Sequence, residues 1–213
     1  MQSHPEDINF EGAKLYALTK LKHELPLSYT YHNYQHTALD VLPAAHRLAQ
    51  ESGLDSEATQ LLEVAAAFHD LGYIHQRQDH ETVSIALMAS ALPNFGFSPA
   101  QINLVARMIE ATRMPQSPRT PLEYLLADAD LDSLGRDNFL TVSHALWLEM
   151  NIHYQPRSWY EWLKSQLVFL QSHHYFSPAA RALRDAGKAQ NIDTIKFLLS
   201  KLQPDCTSEV TTP

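Results

Sequence analysis

Apolar residues recur every three or four positions along most of the chain, and no segment alternates cleanly between apolar and polar residues. This spacing predicts a succession of helices without strands. Capping-box patterns mark helix starts at Ser98 in "SPAQ", Thr120 in "TPLE" and Ser158 in "SWYE". Helix stops are expected at Gly53, Gly72, Pro93 and Gly135. The predicted helices span residues 9–24, 33–51, 56–71, 80–92, 98–112, 121–134, 137–153, 158–173 and 178–202.

The connections between these helices are short, which favours one all-α domain over two smaller ones. We predict a single compact helical bundle over residues 1–203. A chain of 213 residues is long enough to bury a substantial core in that way. The last ten residues, 204–213, read "PDCTSEVTTP" and are predicted to form a disordered tail.

Charge and composition narrow the classes of partner. The formal net charge of −8 disfavours a nucleic-acid backbone or an anionic membrane surface as the main partner. No apolar run approaches the roughly 20 residues that span a bilayer, and "MQSHPEDINF" at the start does not resemble a signal peptide. The single cysteine, Cys206, fits a reducing compartment. We therefore expect a cytoplasmic protein.

The segment "LLEVAAAFHDLGY" poses an electrostatic problem. It is almost entirely apolar until it presents His69 and Asp70 side by side. A buried charge is costly without a partner. The carboxylate of Asp70 is also disfavoured at a helix C-terminus, where the dipole is negative. A nearby cation would remove both difficulties.

Two further segments place polar side chains beside apolar helix faces. In "YTYHNYQHTALDVL", Asn33 is a candidate N-cap, so His32 precedes the helix and His36 lies on its first turn. In "TPLEYLLADADLDSLG", Asp130 falls in a row with leucines at positions 122, 126 and 134. Asp128 falls on the other side, near Asp132, and is expected to face solvent.

A carboxylate in a leucine row is usually paired with an arginine or bound to a metal. The candidate salt-bridge partners of Asp130 are Arg107, Arg113 and Arg136. The alternative is a metal site formed by His36, His69, Asp70 and Asp130. Two imidazoles and two carboxylates suit Mn²⁺, Fe²⁺, Co²⁺, Ni²⁺ or Zn²⁺, and the lack of cysteine ligands disfavours a structural zinc site.

These residues, in this order, resemble the HD superfamily of metal-dependent phosphohydrolases. The family pattern H…HD…D is matched by His36, by His69 and Asp70 in "FHDLGY", and by Asp130 in "LADADLDSLG". The segment "YHNYQHTALDV" is also similar to the "YHN..HA.DV" segment of cyclic-nucleotide phosphodiesterases. The resemblance covers about residues 30–136, the expected motif core.

The resemblance implies an all-helical phosphohydrolase that uses a metal-activated water on a nucleotide or another small phosphate ester. By position, His36, His69, Asp70 and Asp130 would be metal ligands, with Asp128 as second choice for the last. His32 would be the general acid, and Asp70 would also orient the water. One or two divalent ions are implied, with Mg²⁺ added to the candidates above.

The segment "HQRQDHETVSIALM" follows the HD pair and supplies further candidates. A second metal or a phosphate could contact His75, Arg77, His80 and Glu81. Asp40 could orient His36 or His32 by a hydrogen bond. Two alternative functions stay open at this point: an HD-fold di-iron oxygenase, which His75 and His80 would favour, and a non-catalytic module that binds a metal or a nucleotide.

Overall fold

A computed structural model describes residues 8–202, and within them the chain is helical, with no β-strand. The nine α-helices are α1 (Phe10–Glu24), α2 (Leu42–Glu51), α3 (Ser56–Phe68), α4 (His80–Ala91), α5 (Pro99–Thr112), α6 (Pro121–Asp130), α7 (Phe139–His153), α8 (Trp159–Ser172) and α9 (Pro178–Lys201). The all-α prediction is confirmed. The predicted tail, 204–213, lies outside the described residues.

Helix boundaries depart from the predictions where the polar motifs lie. The predicted helix 33–51 contains a π-helical segment, His36–Val41, before α2 begins. The predicted helix 56–71 ends at Phe68 and continues as a 3₁₀ turn, Leu71–Ile74. The predicted helix 121–134 ends at Asp130 before another 3₁₀ turn, Asp132–Gly135. Periodicity alone does not reveal these changes of winding, because π and 3₁₀ turns keep apolar residues at similar spacing.

Two of the three predicted capping boxes are present. Ser98 accepts a hydrogen bond from the backbone of Gln101, and Ser158 does the same with Glu161. The Thr120 box is wrong, although α6 begins at the next residue as predicted. The Glu123 carboxylate instead accepts from the backbone N–H of Arg119 at 2.7 Å, so it satisfies a donor one residue earlier in the chain.

Helix α3 is the centre of the bundle. Every residue from Leu61 to Phe68 is buried, and the helix packs against α1, α2 and α5. Three consecutive alanines, 65–67, are fully buried and let neighbouring helices approach closely. The C-terminal end of α3, with His69 and Asp70, is therefore inside the fold. None of the helices within residues 8–202 has the length and apolar character to cross a bilayer.

Helix α9 crosses the 3₁₀ turn after α6 at backbone contact. A Cβ added at Gly187 would lie 2.1 Å from the carbonyl oxygen of Gly135, which no side chain tolerates. The Asp132 carboxylate, beside this crossing, accepts a hydrogen bond from Arg184 Nε at 2.7 Å. Helix α9 is thereby fixed over the end of α6.

The expectation that Asp128 faces solvent is wrong. Asp128 is 1% exposed, and the nearby Asp132 is 2% exposed. Asp128 accepts from the backbone N–H groups of Phe176 and Ser177 at 2.8 and 2.7 Å, immediately before α9. A buried carboxylate is tolerated where donors of this kind surround it. Helix α9 could not be assigned to this face from the sequence of α6 alone.

Candidate metal centre

Three side chains from three segments converge at the end of α3. The ligand atoms of His36, His69 and Asp130 all lie within 4.8 Å of one another. Asp130 Oδ1 is 3.3 Å from His36 Nε2 and 3.5 Å from His69 Nε2. Asp70 Oδ2 joins them, at 3.3 Å from His69 Nε2 and 3.7 Å from His36 Nε2. The group contains the four residues predicted to bind a metal.

Each of these side chains is carried by a residue where the helical winding changes. His36 begins the π-helical segment, His69 is the C-cap of α3, and Asp130 is the last residue of α6. Asp70 comes directly after His69 and is the residue before the 3₁₀ turn Leu71–Ile74. Helix ends point inward here because α3 is central, so the four side chains meet in the interior rather than at the surface.

Three atoms in this group lack hydrogen-bond partners within the described part of the chain. They are His36 Nε2, His69 Nε2 and Asp70 Oδ2, and all three are shielded from solvent. The ring of His69 is oriented by its other nitrogen, Nδ1, which lies 2.7 Å from the carbonyl oxygen of Ala66 and donates to it. This tautomer turns the lone pair of Nε2 toward Asp70 and Asp130. Unpaired buried acceptors that face one another fit a divalent cation.

The close approach of imidazoles and carboxylates in the cluster also shifts their pKa values. Burial alone would lower the pKa of His69, but the carboxylates of Asp70 and Asp130 raise it well above its usual range. For Asp70 burial has the opposite effect and would raise the pKa, but His69 and His80 hold it well below its usual range. The pKa of Asp130 is also lowered, by His36 and His69 against the effect of burial. Both carboxylates therefore stay ionised near neutral pH and attract positive charge.

The candidate arginine partners of Asp130 are engaged elsewhere. Arg136 pairs with Asp40 at 2.6 Å, and Arg113 pairs with Asp79 at 2.8 Å. Arg107 approaches only Glu123 among the described acidic groups, at 4.0 Å. No arginine in residues 8–202 lies within 4.0 Å of the Asp130 carboxylate, so the salt-bridge reading of the leucine row does not hold.

The predicted role of Asp40 is wrong, because its carboxylate bonds to Arg136 rather than to a histidine. His32 is instead oriented by Glu149, with Oε1 of Glu149 2.5 Å from His32 Nδ1. Glu149 lies on α7 and is fully buried. The sequence reasoning missed Glu149, although a carboxylate inside the apolar stretch "HALWLEMNIH" is the same kind of signal that singled out Asp130.

Tyr73 of "FHDLGY" joins the neighbouring histidines into one stack. Its ring lies parallel to that of His32 at 4.5 Å between centroids, and 4.1 Å from that of His80. Tyr73 is 5% exposed. The backbone before it is equally close to α4, since a Cβ on Gly72 would lie 2.0 Å from the carbonyl oxygen of His80. Gly72 thus allows the contact that brings His80 to the site.

Of the further candidates, His75, Arg77, His80 and Glu81, the structure brings only some to the cluster. His80 Nε2 is 3.3 Å from Asp70 Oδ1 and 3.6 Å from Glu81 Oε1, so His80 and Glu81 continue the cluster. His75 is exposed. It thus gives the di-iron alternative no structural support. The Arg77 side chain extends toward α7, where its Nη2 lies 2.8 Å from Met150 Sδ.

The fold and the cluster define an all-helical protein with a buried histidine–aspartate group that could hold a metal ion. The family model for the HD domain matches residues 34–133, close to the expected motif core. This segment is an HD domain, and the resemblance to the HD superfamily is confirmed. Glu149 lies beyond the matched segment.

The fold as a whole has a solved counterpart. The chain is similar to the crystal structure of a predicted HD superfamily hydrolase from an uncultured Thermotogales bacterium, with a TM-score of 0.62 and 19% sequence identity. The alignment covers 92% of this chain and 95% of that one, so helices α7–α9 are part of the shared fold. No curated protein sequence matches the chain at a significant level.

Proposed function

We propose that the protein is a metal-dependent phosphohydrolase acting on a nucleotide or another small phosphate ester. The observation that carries the proposal is the set of three buried, unpaired atoms on His36, His69 and Asp70 that face one another. Such atoms destabilise a fold unless something binds them. Together with Asp130, a divalent ion would find two imidazole and two carboxylate ligands there.

The donor set limits the ion to one that accepts mixed nitrogen and oxygen ligands. Mn²⁺, Fe²⁺, Co²⁺, Ni²⁺, Zn²⁺ and Mg²⁺ are the candidates. When bound, such an ion supplies a Lewis acid that acidifies water and neutralises phosphate charge. The two oxygens of Asp70 face different imidazoles, since Oδ2 lies toward His69 and Oδ1 toward His80. This arrangement supports a second ion, or a phosphate contact, at His80 and Glu81.

His32 is the proposed general acid. Its Nδ1 is bound to Glu149, which leaves Nε2 as the nitrogen that can hold and deliver a proton. The ring centroid of His32 is 6.0 Å from that of His36 and 6.5 Å from that of His80, so it borders the cluster without belonging to it. The Glu149 carboxylate accepts from Nδ1 and so keeps Nε2 in place for the leaving oxygen.

Elemental analysis of the purified protein, combined with a phosphate-release screen over nucleotides and sugar phosphates, tests the proposal. Asp70→Ala and His69→Ala should each lose bound metal and hydrolysis together. His32→Gln should retain metal and turn over slowly, by roughly 10²–10⁴-fold. Asp137→Ala, which removes an exposed carboxylate, is the matched control and should change neither.

Three outcomes would contradict the proposal. Unchanged metal content in the Asp70→Ala and His69→Ala proteins would show that the ion is held elsewhere. Metal-loaded protein that releases no phosphate from any substrate in the screen, but binds nucleotide, would favour the non-catalytic module. Oxygen uptake dependent on iron would favour the oxygenase.

A further inference from the structure

Arg77 is a cation beside the candidate metal centre that has no anionic partner. Its Nε and Nη1 are shielded from solvent and form no hydrogen bond within residues 8–202. Its Nη2 faces the sulfur of Met150, a weak acceptor. No carboxylate of the described chain lies within 4.0 Å of its guanidinium. A guanidinium has five N–H donors, and leaving buried ones unpaired is costly.

The guanidinium is held in place by α7 and the residue after it. Its carbon Cζ lies 4.1 Å from the ring centroid of Tyr154, a cation–π contact. Met150 and Tyr154 also line a cavity of about 260 Å³ that is bounded by Asn151, Gln155, Arg157 and Trp162. Space for a ligand therefore adjoins the two residues that position Arg77.

The backbone of Arg77 also contacts His80, which adjoins the candidate metal centre. Its carbonyl oxygen accepts from His80 Nδ1 at 3.1 Å, and His80 Nε2 faces Asp70 on the other side of the ring. The positive charge of Arg77 is felt by the hydroxyls of Tyr73 and Tyr29, where it opposes the raising of their pKa by burial. The guanidinium thus lies within electrostatic range of Tyr73, whose ring contacts those of His32 and His80.

We propose that Arg77, supported by Tyr154 and Met150, is a subsite for a second anionic group of the substrate, distinct from the phosphate at the metal centre. This inference rests on the proposed function, because it concerns the substrate of the same site. A phosphate at Arg77 would use one of the two parallel N–H pairs of the guanidinium, Nε with Nη2 or Nη1 with Nη2, and would so give an unpaired donor the oxygen acceptor that it lacks. The preferred substrate would carry two anionic groups, as a pyrophosphate does, rather than a single phosphate.

The competing explanation is structural: Arg77 would serve only to fix the end of α7 through Tyr154. The two explanations differ in what they require of a lysine. A purely structural cation–π contact is retained in part by Lys, whereas bidentate capture of an oxyanion is not. They also differ in ligand dependence, because only the subsite predicts stabilisation by an added anion.

Calorimetric titration of the purified protein, with its bound metal, tests the subsite through pyrophosphate binding rather than turnover. Arg77→Gln should weaken pyrophosphate binding by roughly 10- to 100-fold, the loss expected for charged hydrogen bonds. Arg77→Lys should give an intermediate loss. Arg107→Gln removes an exposed arginine on α5 that does not line this cavity, and it should bind like the unmodified protein.

Orthophosphate is the second probe. Pyrophosphate should bind more tightly than orthophosphate to the unmodified protein, and this preference should shrink in Arg77→Gln. Equal losses in the Arg77 and Arg107 variants would overturn the proposal, because they would show only a general effect of charge. An unmodified protein that does not bind pyrophosphate would overturn it as well, even if the Arg77 variants fail to fold.

Failure of this inference and failure of the proposed function give different results. If metal-loaded protein hydrolyses a phosphate ester while pyrophosphate binding is indifferent to Arg77, only the subsite is wrong. If pyrophosphate binding depends on Arg77 while no phosphate is released from any ester, the subsite stands as a binding site and the hydrolase is wrong.

Discussion

Glu149 and His32 are 117 residues apart in the chain and 2.5 Å apart in the fold. The other carboxylate oxygen of Glu149 accepts from the backbone N–H groups of Tyr31 and His32, at 2.8 and 2.9 Å. Burial alone would raise the pKa of Glu149, but these donors and His32 lower it. One buried carboxylate therefore fixes both the position of the loop and the orientation of the imidazole. Helix α7, beyond the matched HD segment, is in this way part of the site.

Replacing Glu149 by Gln should slow turnover without removing the metal. The amide still accepts from the backbone, but it no longer balances a protonated His32, so kcat should fall roughly 10- to 100-fold. Phosphate release and elemental analysis give the two quantities. Glu51→Gln, at an exposed position, is the control. The double variant with His32→Gln should be little slower than His32→Gln alone, and strictly multiplicative losses would contradict a shared role.

Asp130→Asn and Asp128→Asn form a matched pair, because both carboxylates lie on α6 and only one faces the cluster. Asp130→Asn should lose metal and hydrolysis while the helical content stays unchanged. Asp128→Asn should retain metal but unfold more easily, by about 1–3 kcal/mol, because asparagine keeps one acceptor oxygen and one of the two N–H groups, of Phe176 or Ser177, loses its partner. Elemental analysis and urea unfolding distinguish the two variants. The reverse pattern would make Asp128, the second choice from the sequence, the ligand.

Tyr73 should act as a positioning residue through its ring. Tyr73→Phe keeps the stack with His32 and His80 and should retain most of the activity, whereas Tyr73→Leu loses it. The loss in Tyr73→Leu should appear in kcat with bound metal retained, since His32 and His80 become free to turn while the four candidate ligands are unchanged. Substitution of the exposed Tyr154 by Leu is not an equivalent control, because that ring contacts Arg77. Tyr160→Leu on α8 is the better one, because its ring lies beside Lys164 of the same helix.

The sequence predicted the helices and the four cluster residues because both depend on local signals. A charged side chain in an apolar row is visible wherever it occurs, and Asp70 and Asp130 were found in this way. Which element covers a given face is not a local property. The burial of Asp128 depends on α9, and the engagement of Asp40 depends on Arg136, 96 residues away. Glu149 in "HALWLEMNIH" is also such a local signal, but its partner is not readable from it, because His32 is on a loop that no periodicity connects to α7.

The stability of the fold should fall in mild acid in part because of His173. Burial, and then the nearby charge of Lys188, lowers the pKa of His173 to about 4. In the unfolded chain the same imidazole titrates near its ordinary pKa of about 6.5. Between these pH values the unfolded state binds a proton that the folded state does not bind. The contribution of His173 to the free energy of unfolding is therefore complete above pH ~6.5 and is lost as the pH falls toward 4.

His173→Gln removes this titration and should therefore be less sensitive to acid than the unmodified protein. Between pH 7.5 and 5, the variant should lose roughly 1–2 kcal/mol less unfolding free energy than the unmodified protein. The range allows for the partial exposure of the ring, which weakens the effect. Urea unfolding at both pH values measures it. The amino group of Lys188 bonds to the backbone carbonyl of residue 173 at 2.6 Å, a contact that glutamine retains. His23→Gln, at an exposed position on α1, is the control that leaves the surroundings of His173 unchanged. Parallel pH dependence of the His173 variant and the unmodified protein would refute the assignment.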